Sequence, residues 1–335
     1  MTAGSVNRAA IDIGTSCIKI LQAAGPADKP VVSAVGYKEI AGLPADGIAD
    51  ALKSLVQESQ INAKDAVVSI SGPSVIVRFI SLPKMDEAAL KGAIRYEAEK
   101  FIPYNISDCI IDFQTLRKDD KENKLNVLLV AAKREYVETR IGLIEGAGFS
   151  VKLIDVDSFA LANAFRRNVP SPDPGKSCAI LNIGGAHTNV SILKGELIYF
   201  ARDIIMGGND FTAAIAKKLG IGQREAEEFK IQPPKEKEPD VLECVRAVFN
   251  DLLDEIKLSF GYYENQAGKG IDEVYISGGT ANIMGLESIF VETLESKPLF
   301  WNPLDFADMS AVAAKADFFD KRKNQFCIAA GLLSR

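Results

Sequence analysis

Histidine occurs once in this 335-residue chain, at His187. That scarcity excludes histidine-rich zinc centres and leaves one candidate for any Ser-His-Asp triad. The five cysteines are scattered, odd in number and form no Cys-x-x-Cys pair. Neither a disulfide framework nor a thiolate metal site is indicated, and reduced core thiols are expected. No apolar run approaches the roughly 18 residues that a membrane helix needs. The opening MTAGSVNRAA lacks an apolar signal-peptide core, which points to a cytosolic chain. A net charge of −6 argues against a nucleic-acid partner, which would ask for a basic face.

What remains is globular: 47% hydrophobic and 25% charged residues, in a chain long enough for two domains with sizeable cores. Residues 6 to 40 read as strand, turn, strand and a further apolar run. IADALKSLVQESQI (48–61) has helical spacing, with Ile48, Leu52, Leu55 and Val56 on one face. AVVSISG and VIVRFISLP read as strands closed by Gly72-Pro73 and Pro83. From there the pattern is helix, strand, strand, helix, strand. Asp86 caps the first helix, KDDKEN (118–123) turns the hairpin, and VKLIDVD is the last strand. This block, 84–157, is expected to fold as an insertion. RRNVPSPDPGKS (166–177) is the expected linker between the halves. In the second half a helix is expected from about Asp210 to Leu219, a surface loop at IQPPKEKEPD (231–240), and a long helix over 241–266. IDEVYISGGTANIMGLESIF then reads as strand, glycine turn and helix.

Two stretches are nearly the same sentence. AAIDIGTSCIKIL (9–21) and AILNIGGAHTNVSIL (179–193) superpose so that Asp12 meets Asn182, Gly14 meets Gly184 and Lys19 meets Asn189. Backbone N–H groups at glycine turns bind phosphate, because glycine permits close approach and unusual dihedrals. Two such turns facing each other from two domains would grip a polyphosphate from both sides. Asp12 would then hold Mg²⁺ through its waters, and Lys19 would face the phosphates or pair with Asp12. A third turn, Gly278-Gly279-Thr280, can pass its backbone beside a nucleoside. In AEEFK (226–230), Glu227 and Lys230 share a helical face from which they could reach ribose and base.

The order of turn, insertion, equivalent turn, helix pair and glycine turn resembles the actin-like ATPase fold of sugar kinases, DnaK-type chaperones, actin and FtsA. Within it the chain is similar to the PilM family of type IV pilus assembly. The likeness runs through IDIGTSCIKI, the block LPKMDEAALKGAIRYEAEKFIPYNISDCIIDFQTL, VLLVAAKREYV, AGFSVKLIDVDSFALANAF, NIGGAHTNVSILKGELIYFARDIIMGGNDFT, AEEFK, YISGGTANIMGLESIF and AAGLLSR. It implies an α/β protein of two domains with duplicated RNase H-like cores and an FtsA-type inserted subdomain. The implied division is 1–83 with 158–174 (subdomain 1A), 84–157 (1C), 175–220 with 271–335 (2A), and 221–270 (2B).

The resemblance also implies ATP and Mg²⁺ as cofactors. Ser16, Thr15, His187, Thr188, Gly185, Gly207 and Gly208 join the turn residues above as nucleotide-binding candidates, with Asp12 on the metal. The implied partner is the N-terminal cytosolic tail of the inner-membrane protein PilN, alongside other pilus assembly proteins. The chain would then be cytoplasmic and peripheral at the inner membrane through partners; self-assembly into homo-oligomers stays open. The family usually carries Asp where this chain has Asn182. An amide keeps an acceptor but cannot take a proton, so slow or absent hydrolysis is expected. Three other readings compete. A sugar-kinase-like phosphotransferase lacks support from Asn182 and from any clear sugar-binding acid. An FtsA-like division protein would continue into a linker and amphipathic helix beyond GLLSR. A type II secretion protein of this fold would continue into a membrane span.

Overall fold

The computed structural model describes residues 7–26, 29–119, 123–169, 173 and 175–335. The first half runs β1 (Arg8–Ile13), β2 (Cys17–Ala24), β3 (Val31–Glu39), α1 (Ala45–Glu58), β4 (Asp65–Ile70), β5 (Val75–Pro83), α2 (Glu87–Ala98), β6 (Cys109–Asp119), β7 (Lys124–Lys133), α3 (Arg134–Gly146), β8 (Ser150–Val156) and α4 (Asp157–Asn168). The second half runs β9 (Ser177–Ile183), β10 (Thr188–Lys194), β11 (Leu197–Ile204), α5 (Gly208–Leu219), α6 (Gln223–Ile231), α7 (Glu238–Ala267), β12 (Glu273–Ser277), α8 (Leu286–Leu294), β13 (Leu299–Phe300), α9 (Ala316–Arg322) and α10 (Cys327–Leu333).

The two halves repeat one topology. The first sheet has the order β3-β2-β1-β4-β8 and the second β11-β10-β9-β12-β13. In each, an antiparallel three-strand meander (β1–β3, β9–β11) is extended by two parallel strands. The central strands are buried on both faces, which is why they read as continuous apolar runs rather than alternating ones. α4 and α10 cross between the halves and share a core with residues of both sheets, including Leu21, Ile180, Phe165 and Leu332. Their approach is so close that a Cβ on Gly331 would lie 1.7 Å from the Ala160 carbonyl oxygen. Only glycine fits there.

Strand pairing moves two elements across the boundaries expected for the insertion. β5 pairs along its whole length with β7, so the three-stranded sheet β5-β7-β6 begins before residue 84. β8 pairs with β4 and belongs to the first large sheet, although it falls inside 84–157. The cause is burial: β5 places Ile80 and Leu82 in the small core with Leu90, Ile94 and Val127, whereas β8 places Ile154 against the first sheet's core. Two other expectations are corrected. Residues 166 to 168 complete α4, so the linker starts later than expected, and its residues 170–172 and 174 lie outside the described residues, as do 120–122 of the KDDKEN turn. The 231–240 loop is shorter than expected, because Pro239 sits in the first turn of α7, where its missing N–H costs nothing. Asp86 does cap α2, accepting from the Ala89 amide at 2.8 Å.

Candidate nucleotide cleft

The duplicated motif folds into two equivalent β-hairpins. In the first, Asp12 pairs with Lys19 across β1 and β2; in the second, Asn182 pairs with Asn189 across β9 and β10. Each turn is closed by its glycine amide, Gly14 to the Cys17 carbonyl at 3.1 Å and Gly184 to the His187 carbonyl at 3.0 Å. The superposition read from the sequence is thus a shared cross-strand register.

At that register the two hairpins differ in charge. Lys19 Nζ lies 2.8 Å from Asp12 Oδ2, and both side chains are buried. Burial pushes the Asp12 carboxyl above the usual carboxylate range against the pull of Lys19. Burial also opposes the Lys19 charge, but Asp12 and Cys17 more than offset it and hold the ammonium above its ordinary pKa. In the second hairpin the ion pair is replaced by amides: Asn182 Nδ2 donates to Asn189 Oδ1 at 2.8 Å, and Asn189 Nδ2 donates to Asp203 Oδ1 at 2.7 Å. Asn182 Oδ1 faces the Ser277 hydroxyl at 3.5 Å. The side chain at the position where the family usually carries Asp is therefore held by its neighbours.

The two turn tips meet. A Cβ on Gly185 would fall 2.2 Å from Ser16 Oγ and 2.8 Å from Thr15 Oγ1. Among the described residues, the amides of Thr15, Ser16, Gly185 and Ala186 have no hydrogen-bond partner. Unpaired N–H groups from two facing turns suit an anion. The chemistry fits a polyphosphate, but the tips must part to admit one.

Gly207 and Gly208 lead into α5 immediately behind the second turn. The Gly208 and Asn209 amides donate to the Gly184 and Gly185 carbonyls at 2.8 Å each, and a Cβ on Gly207 would lie 2.7 Å from both carbonyl oxygens. The first donors of the helix thus fasten the turn. Thr188 is fully buried and donates to the Met206 carbonyl at 2.8 Å. Gly278 has φ +93°, and a Cβ there would lie 2.3 Å from the Ile183 carbonyl oxygen. Thr280 Oγ1 donates to the Gly184 carbonyl at 3.1 Å. Gly279 faces Gln325. Glu227 and Lys230 do share a face of α6, at 2.6 Å, but the buried Lys230 ammonium turns inward to Thr212 Oγ1 at 2.9 Å and the Gly208 carbonyl at 3.1 Å. Burial lowers its pKa against the pull of Glu227. Lys230 buttresses α5, and the half-exposed Glu227 carboxylate is the freer of the two. His187, one of the nucleotide-binding candidates, is part-buried with Nε2 3.2 Å from Ser71 Oγ.

Sequence reasoning missed several residues here. Asp203 joins Asn189 to the Gly72 amide, which donates to its Oδ2 at 2.9 Å. Arg140 reaches the Ile13 carbonyl at 3.3 Å, beside the first turn. Asp157, the first residue of α4, acts electrostatically on both Asp12 and Lys19. Asn324 accepts the Gly278 amide at 2.8 Å, and Cys17 Sγ faces Gln325 at 3.7 Å. None carries a local pattern; the Asp at a strand end and the Arg in a helix acquire meaning only through contacts distant in sequence. Among the described residues no cluster of three His, Cys, Asp or Glu could hold a metal unaided.

Known proteins share this architecture. A chain of the solved PilM-PilN type IV pilus biogenesis complex matches with a TM-score of 0.86 and 25% identity, covering 98% of each chain. EutJ from Carboxydothermus hydrogenoformans (TM-score 0.59, 14% identity, 100% of this chain and 90% of that one) and MreB5 of Spiroplasma citri bound to AMPPNP (0.52, 12%, 97% and 94%) share the fold. Among curated proteins, the ethanolamine utilization protein EutJ of Salmonella typhimurium is 22% identical over 182 residues, 52% of this chain, and the match spans 59% of that relative's length. The fold is the actin-like ATPase fold. The family model described as "Type IV pilus assembly protein PilM" matches residues 10–335, and the chain belongs to that family.

Proposed function

We propose that this chain is an ATP-binding scaffold of type IV pilus assembly, which docks the N-terminal cytosolic tail of PilN and links the alignment complex to the assembly motor. The observation that carries the nucleotide half is the meeting, tip to tip, of two copies of one hairpin turn with unpaired amides. Gly14, Thr15, Ser16, Gly184 and Gly185 would hold the phosphates. Gly278 to Thr280 and Glu227 would border the nucleoside, with Gly207, Gly208, Thr188, His187 and Lys230 supporting the second turn. Asp12, with Lys19 at its side, would meet Mg²⁺ through water. Because an amide stands at Asn182, ATP would act as a clamp between the halves more than as fuel. The 1A, 1C, 2A and 2B division belongs to the same reading, with β5 reassigned to 1C and β8 to 1A.

Family membership and the neighbouring PilM-PilN complex support the docking half. A cavity of about 560 Å³ lies between β5 and β11, lined also by Leu258 and Tyr262 of α7. Each of these strands is the terminal strand of its sheet. An extended peptide can be held at such an edge by backbone pairing, with side chains in apolar pockets. No helix among the described residues is long and apolar enough to cross a membrane. Placement at the inner membrane would come through PilN. Pull-down with the PilN tail, and mass spectrometry of nucleotide released on denaturation, test the two halves separately. A tail that binds the Leu258→Glu variant, which sets a charge in the groove wall, with unchanged affinity would place docking elsewhere.

A further inference from the structure

The lysines of the cleft are already spent on carboxylates. Lys19 lies 2.8 Å from Asp12, and Lys230 is held by Glu227 at 2.6 Å and turned inward. The second hairpin offers the amides Asn182 and Asn189 and, behind them, the Asp203 carboxylate. A polyphosphate between the tips would meet unpaired backbone N–H groups but no charge from these side chains. Arg140 is placed differently. It projects from α3 beside the first turn, part-buried, with Nη1 3.3 Å from the Ile13 carbonyl oxygen and Nη2 3.2 Å from the Tyr136 hydroxyl. Tyr136 is fixed in turn by donating to the Ser71 carbonyl at 3.3 Å. Among the described residues no carboxylate pairs with Arg140, and most of its N–H groups have no partner. Its charge acts on Asp12.

The first sheet gives the cleft a direction. β1 lies between β2 and β4. On the β2 side, Gln325 faces both Cys17 and Gly279, so the third turn, where a nucleoside would lie, is at that end. On the β4 side stand Arg140 and Ser71, which directly follows β4. A nucleotide lying across the tips with its nucleoside at Gly279 points its last phosphate toward Arg140. We propose that Arg140 binds the terminal phosphate and makes the cleft prefer a nucleoside triphosphate to the diphosphate. This rests on the reading that the cleft takes ATP. Contacts of 3.2 and 3.3 Å to neutral oxygens are at the long end for N–H donors. Exchanging them for anionic oxygens gains charge-assisted bonds, and the planar guanidinium fork matches a phosphate's geometry.

Calorimetry with Mg²⁺ and either ADP or the non-hydrolysable analogue AMPPNP reads the preference without turnover. The parent should bind AMPPNP more tightly than ADP. Arg140→Gln should weaken AMPPNP binding about tenfold or more, while ADP binding changes less than about threefold. Arg140→Lys keeps the charge but loses the fork, so its AMPPNP affinity should fall between those of the parent and Arg140→Gln. It serves if Arg140→Gln fails to fold, and it too should lose more for AMPPNP than for ADP. Equal losses for the two nucleotides, no loss for AMPPNP, or a parent indifferent to the terminal phosphate would overturn the assignment and leave the functional reading intact. A residue that only braced Ile13 and Tyr136 would act on both nucleotides alike. Failure of the parent to bind either nucleotide would overturn that reading, and the assignment with it.

Discussion

Replacing Asn182 by aspartate changes one atom and reverses one hydrogen bond. The chain Asn182–Asn189–Asp203 donates in one direction and ends on a carboxylate, with contacts of 2.8 and 2.7 Å. An ionised carboxylate at 182 would face the Asn189 oxygen. If the Asn189 amide turned over to supply a donor, its oxygen would face Asp203 instead. Either way an oxygen–oxygen contact is left at a site where Asn189 is buried, which costs about 1–3 kcal/mol. The new carboxyl escapes by keeping its proton and donating to Asn189, so its folded pKa is raised above the unfolded value of about 3.9. The folded state then binds more protons, and the deficit is absent below the unfolded pKa and grows as pH rises through the folded one. Urea unfolding should show the variant less stable than the parent by about 1–3 kcal/mol at pH 8, with the gap narrowing toward pH 5. A gap of zero at pH 8, or one indifferent to pH, would refute the donor direction.

Other changes separate binding, charge and packing. Asn182→Asp also restores an acid beside the second turn, and ATP hydrolysis should rise at least about tenfold, or ~1.4 kcal/mol of barrier, as read in a phosphate-release assay. Lys19→Met strands the buried Asp12 carboxylate and should cost about 3–5 kcal/mol in denaturant unfolding at neutral pH. Without Lys19 the carboxyl pKa rises further, so the loss should shrink on acidification, and adding Asp12→Asn should recover most of it. Gly331→Ala drives a methyl into the Ala160 carbonyl at the crossing of α4 and α10, and should cost about 1–3 kcal/mol or more, seen as a lowered Tm in calorimetry.

The duplicated hairpins could be read from the sequence because a hairpin's register is local. Aligning Asp12 with Asn182 and Lys19 with Asn189 required only turns of equal length between the paired positions. One glycine was readable for a similar reason: Gly278, with φ +93°, sits where the backbone allows nothing larger. The β5–β7 pairing was hidden, because β5 follows β4 with the same apolar composition and only its partner decides its sheet. Asp203 and Ser71 were hidden more deeply. Gly72 and Asp203 are 131 residues apart, and no spacing rule brings a strand-end carboxylate to that amide. The contact between the turn tips was likewise invisible, since it depends on how far apart α4 and α10 hold the two halves.

The central claim is that two copies of one turn form a single nucleotide site. Titration calorimetry of the nucleotide-stripped chain with Mg-ATP tests it most directly. The expected result is saturable binding of one ATP per chain, with about 2.7 kcal/mol of added stability at 100 times the dissociation constant. No heat of binding and no thermal shift at millimolar Mg-ATP would contradict it.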